Sequence, residues 1–138
     1  MPTDTTTSDN RLKKEDFTFK FTESGGLTQH YLMISFDSKT NTLSSSTDIS
    51  GSNLSHKLIL DSEKEELRDE VTNNNFFSFK LDYPPKKEDP SLVAYNLSVT
   101  MGNRTHTTIW TNDSKEIPEG LNKIVNAIRR ITAKEKVV

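Results

Sequence analysis

The sequence has no cysteine, which excludes disulfides, thiol catalysis and thiolate metal sites together. It has no apolar run of membrane-spanning length, and its opening, MPTDTTTSDN, has neither the basic nor the apolar segment of a secretory leader. A cytoplasmic protein with no membrane partner is the expectation. No basic block stands out, since 18 Lys and Arg face 20 Asp and Glu, so the electrostatic footprint of a nucleic-acid binder is missing. Histidine is scarce: His30, His56 and His106 lie far apart, none with a second metal-type ligand at helical or hairpin spacing. No metal and no cofactor is expected.

Catalytic patterns are missing as well. Serine is abundant, yet none sits in a nucleophile elbow, and Ser24-Gly25-Gly26 lacks the full phosphate-loop and dinucleotide patterns. The carboxylates between Asp61 and Glu70 alternate with Lys64 and Arg68, the pattern of a solvated helix face. With no nucleophile or acid/base constellation to assemble, the sequence points away from an enzyme. Sequons at Asn53, Asn96, Asn103 and Asn112 carry no weight in a chain this rich in Asn, Ser and Thr with no leader.

Apolar residues make up only 31% of the 138, and the mean hydropathy is −0.70. Much of the polarity is concentrated in the first residues and three loops, leaving enough apolar area for one thin core. The expected organisation is a disordered tail over residues 1–15, a single α+β domain over 16–133 and a frayed end over 134–138.

The clearest element is Leu92 to Thr111. Two runs of β-branched and aromatic residues flank Gly102-Asn103, residue types that accept the positive φ of a tight turn. A two-residue turn there pairs Met101 with Arg104, Val99 with His106, Leu97 with Thr108 and Tyr95 with Trp110. That places Tyr95, Leu97, Val99, Met101, His106 and Trp110 on one face, His106 as a hydrogen-bonded imidazole against the core. Asn96, Ser98, Thr100, Thr105 and Thr107 fall on the polar face.

Phe17, Phe19 and Phe21 alternate with Thr18, Lys20 and Thr22, and a second alternating run carries His30, Leu32, Ile34 and Phe36. A two-residue turn at Gly25-Gly26 predicts Phe21 opposite His30, Phe19 opposite Leu32 and Phe17 opposite Ile34, with His30 in the same hydrogen-bonded role as His106. Thr42 to Ser46 reads as a short third strand with Leu43 inward, and 44–55 as a mobile loop. A helix is expected from Asp61, with Ser62 and Glu65 at capping-box spacing and Leu67 and Val71 on its apolar stripe, ending at Asn73-Asn74-Asn75. Phe76 to Phe79 reads as a core plug, and Asp82 to Pro90 as a charged, proline-stiffened loop. Pro118 opens a second helix with Leu121, Ile124, Val125, Ile128 and Ile131 at helical spacing. The expected architecture is an antiparallel sheet of four to five strands built from two hairpins, with two α-helices on one face.

Five stretches occur in an order that resembles the emfourin-like family of proteinaceous inhibitors of protealysin and other thermolysin-like metalloproteases. They are Glu23-Ser24-Gly25-Gly26 after the first strand; Leu67 and Val71 leading to Asn75-Phe76-Phe77; Tyr95-Asn96-Leu97-Ser98-Val99; Gly102-Asn103-Arg104-Thr105-His106-Thr107; and Ile117-Pro118-Glu119-Gly120-Leu121. The resemblance covers about residues 17 to 132; Leu27-Thr28-Gln29, the 44–55 loop and the first 15 residues depart from it. It implies a non-enzymatic inhibitor, monomeric when free, whose partner is a thermolysin-like metalloprotease and whose site is Glu23, Ser24, Gly25, Gly26 and Leu27. Arg104 and His106 match the family hairpin as structural residues. The rival reading is a protein-protein interaction module of the same fold without inhibitory activity.

Overall fold

The computed structural model describes residues 16–134; the tail expected over 1–15 and the last four residues lie outside them. Strands β1 (Phe17–Gly25), β2 (His30–Asp37), β3 (Thr42–Ser46) and β4 (Ser55–Leu58) lead into helix α1 (Asp61–Asn73) and a 3-10 turn at Phe76–Ser78. Strands β5 (Asp82–Tyr83), β6 (Val93–Met101) and β7 (Arg104–Thr111) and helix α2 (Glu119–Ala133) complete the chain. The protein is α+β, with one seven-stranded sheet in the order β4-β3-β2-β1-β6-β7-β5.

Strand β1 lies at the centre because both of its neighbours present apolar rows to it. Phe19 pairs with Phe36 on one side and Val99 on the other, and Phe21 pairs with Ile34 and Leu97. Over that face lie Leu67 and Val71 of α1 and the stripe Leu121, Ile124, Val125, Ile128 and Ile131 of α2, all buried in one cluster with the strand residues. The opposite face, with Thr18, Lys20, Ser98, Thr100 and Thr107, has no buried residue among those five.

The β6–β7 register is the one the sequence predicts, from Tyr95 opposite Trp110 to Met101 opposite Arg104. Only Gly102, at φ +63°, takes a positive φ in that turn, the requirement of a turn with glycine first. His106 is half-buried, its Nε2 within 2.8 Å of the Phe79 carbonyl and its ring edge-on to Phe76. Thr108 is fully buried on the same face, and its hydroxyl donates to the Lys80 carbonyl at 3.1 Å, satisfying a polar group that the core would otherwise penalise.

The first hairpin departs from the predicted register. Phe21 faces Ile34 instead of His30, and the turn is the four residues Gly26-Leu27-Thr28-Gln29 instead of Gly25-Gly26. The slide moves every partner by an even number of residues, so the inward face stays inward and the alternation of side chains is blind to it. Packing selects the longer loop because it sets Phe36 against Phe19 and within 5.7 Å of the Phe17 ring, where the shorter one aligns Phe36 with Glu15.

Strands β4 and β5 exceed the four to five expected. Part of the presumed 44–55 loop is strand: Ser44 to Ser46 close β3, and Ser55 opens β4. Lys57 of β4 reaches the end of α2, its ammonium donating to the Ile131 carbonyl at 2.8 Å and the Thr132 carbonyl at 3.2 Å, a cation at a helix C-terminus. Within the presumed 82–90 loop, Asp82 and Tyr83 pair with Ile109 and Trp110 in parallel, which makes the sheet mixed.

Helix α1 begins at Asp61 as expected, but Ser62 and Glu65 do not cap it: Leu60, two residues before Ser62, is the N-cap, and the Glu63 carboxylate accepts its N–H at 2.8 Å. Partial burial opposes ionisation of Glu63, but the Leu60 N–H and the Lys134 and Lys57 charges outweigh it and hold the carboxyl below its usual range. Arg68 is not on a solvated face; it is buried with its guanidinium 5.5 Å from the Phe17 ring centre.

Candidate functional site

The end of β1 carries the sequence-predicted site, and there the hairpin becomes almost pure backbone. Gly25 still belongs to the strand, paired with His30 on one side and Val93 on the other. Its φ is +108°, and a Cβ added there would stand 2.8 Å from the Leu92 carbonyl oxygen, so both conformation and space require glycine. Gly26, at φ +80°, donates its N–H to that same carbonyl at 2.8 Å. The loop is closed by Gln29 at φ +53°, whose N–H donates to the Gly26 carbonyl at 3.1 Å. The glycines therefore fasten the hairpin to the segment before β6, Gly25 as the last strand residue and Gly26 as the first of the turn.

Leu27 stands on the crown of this loop with 79% of its surface exposed. An apolar side chain so exposed on a fastened loop is a candidate contact for another molecule. Ser24, Gly25 and Gly26 line an open hollow of about 760 Å3, together with Gln29, His30 and Tyr31. Its other wall comes from the 47–53 loop and from Pro90 and Leu92.

Glu23 is placed differently from the other four. It shares the inward parity of Phe17, Phe19 and Phe21, and its side chain keeps only 14% exposure. One carboxylate oxygen accepts from the Arg129 guanidinium of α2, and the other lies 2.8 Å from His30 Nε2. Arg129 in turn lies over the Phe21 ring, 5.4 Å from its centre. Tyr95 stacks on Trp110 with ring centres 5.3 Å apart; burial first, then the Glu23 charge, push its phenol above the ordinary value, with Arg129 pulling the other way. His30 is exposed, not packed in the aromatic row, but it does keep a hydrogen-bonded neighbour.

Ser24 and Gly25 therefore belong to the paired stem, Gly26 and Leu27 to the turn above it, and Glu23 is the clamp beneath. Sequence reasoning missed Arg129, which lies 106 residues from Glu23. Its only mark is a charge just off the apolar stripe of α2, and such charges are ordinary. Among the described residues no cluster of three or more His, Cys, Asp or Glu side chains is placed to hold a metal ion. None of the described helices is long and apolar enough to cross a membrane.

Chemically, this site offers one exposed apolar side chain on a braced stem whose backbone at Ser24, Gly25 and Gly26 is already paired within the protein. No protein-family model matches the chain, and no curated protein is significantly similar to it.

Proposed function

We propose that the protein is a non-enzymatic inhibitor of a thermolysin-like zinc metalloprotease. The end of the Ser24 to Leu27 segment enters the active-site cleft, where Leu27 on the turn fills an apolar specificity pocket and the paired backbone of Ser24 and Gly25 holds the turn from behind. The zinc in this picture belongs to the protease.

One observation carries the reading beyond the family resemblance: an exposed leucine is presented on a loop whose stem is held at Leu92 and clamped through Glu23 to Arg129. Pre-ordering the loop removes most of the entropy cost of fixing it on the partner. A braced loop also resists being drawn into the geometry that cleavage needs, so it binds as a substrate does without being consumed.

The test is a titration of the purified protein against a thermolysin-like protease, following hydrolysis of a quenched peptide. Stoichiometric loss of activity with the protein left uncut is the expected result; undiminished hydrolysis overturns the reading. A second reading, an interaction module of the same fold without inhibitory activity, is favoured by the inward engagement of Glu23, which leaves that carboxylate unavailable to a partner.

A further inference from the structure

Resting on the inhibitor reading, we propose that the 47–53 loop is a second arm of the same docking surface, with Ile49 as its apolar contact. The protease would then be held by an extended segment of its cleft rim lying in the hollow between Ile49 and the stem of the Leu27 turn. Ile49 is 82% exposed and lines the hollow whose other wall is the Ser24 to Gly26 stem. Leu27 sits between Gly26 and Gln29, which both line it too. A partner that seats the tip therefore meets the second loop.

A lone exposed isoleucine is unremarkable on a protein surface. This one is held in place. The Asp48 carboxylate accepts the Ser50 N–H and hydroxyl, each at 2.9 Å, and the Ser52 hydroxyl as well. These hydrogen bonds hold the Asp48 carboxyl below its usual range, those from Ser52 foremost. Asn53 Nδ2 donates to the Thr47 hydroxyl at 2.8 Å, and the buried Ser46 hydroxyl lies 2.8 Å from Asn53 Oδ1, tying the loop to the end of β3. A segment made of Ser, Thr, Asp, Asn and Gly is thereby folded on its own side chains and presents Ile49 outward.

The hollow itself selects the kind of occupant. Ser24, Gln29 and Tyr31 place neutral polar side chains in its lining, whereas Asp48 and Asn53 are engaged within their own loop. Neutral hydrogen-bonding groups beside the apolar Ile49 suit an extended peptide segment, whose backbone meets the hollow and one of whose side chains meets Ile49.

The experiment measures inhibition of thermolysin by the full chain, with Ile49→Asp, Ile49→Leu, Leu27→Asp and the remote exposed-surface control Leu81→Asp. Covering one isoleucine on binding predicts that Ile49→Asp raises the inhibition constant about tenfold or more, through faster dissociation. Ile49→Leu should restore inhibition, Leu81→Asp should leave it unchanged, and melting should be unaltered in the Ile49 variants because the side chain is solvent-exposed. Equal inhibition by Ile49→Asp and wild type, with Leu27→Asp inactive, overturns the second arm and leaves the inhibitor reading standing. Equal losses in Ile49→Asp and Leu81→Asp overturn the second arm as well. A wild-type chain that does not inhibit overturns the inhibitor reading and this inference with it.

Discussion

The hairpins β1–β2 and β6–β7 share the same apolar face and the same kind of strand residue, but they differ at their tips. The β6–β7 turn uses the two residues Gly102 and Asn103 and is tied to the start of β1, the Gly102 N–H donating to the Asp16 carbonyl at 2.9 Å. The β1–β2 turn uses four, and its crown carries Leu27 into solvent. In the first, glycine makes the turn; in the second, glycine lets strand backbones close up beneath it. One residue type thus serves structure at one end of the sheet and presentation at the other, and the difference lies in what faces the missing Cβ.

Replacing the residue under both hairpins should have the largest effect. Phe21→Ala removes a fully buried ring between Ile34 and Leu97, and a loss of about 3–5 kcal/mol is expected, read as a lowered denaturant midpoint with both hairpins unfolding together. Next, Gly25→Ala should cost about 3 kcal/mol from unfavourable φ together with overpacking against Leu92. Gly51→Ala, at φ +78° with nothing within 4 Å of the new Cβ, should cost only about 1–2 kcal/mol. Equal losses at the two glycines would show that φ alone, and not close approach, holds the presented stem.

The clamp offers a finer test. Arg129→Gln leaves Glu23 with His30 only, so melting should fall slightly, by the equivalent of about 1 kcal/mol, while inhibition weakens more because the stem loses its brace. Parallel losses in the two assays would mean that Arg129 acts on the whole fold. The smallest effect belongs to the helix entry. Glu63→Ala removes the acceptor of the Leu60 N–H and should cost about 1 kcal/mol at neutral pH. Because folding lowers the Glu63 pKa, that stability is present above the ordinary carboxylate range and disappears as pH falls through the folded value, so melting curves of wild type and variant should converge in acid.

Much of this fold was legible from period and punctuation. The β6–β7 register, the inward Leu43, the apolar stripe of α2 and the packing of Phe76 beneath α1 all follow from alternation, helical spacing and turn residues. Strands β4 and β5 were not legible, since Ser55–Leu58 and Asp82–Tyr83 are short edge segments held by hydrogen bonds to β3 and β7 and carry little pattern of their own. At the site, a hairpin end near Gly25 and Gly26 could be read from the sequence, whereas its four-residue turn with Leu27 on the crown and the inward turn of Glu23 could not.

By itself, then, the sequence determined which faces are apolar and where the chain must turn, because those depend on side-chain periods and local backbone freedom. Only the tertiary structure decided the slide of β2 along β1, the partner of Glu23 and the meeting of the 47–53 loop with the Leu27 loop. A slide by an even number of residues leaves every local signal unchanged, and only the packing of Phe36 on Phe17 and Phe19 distinguishes the alternatives.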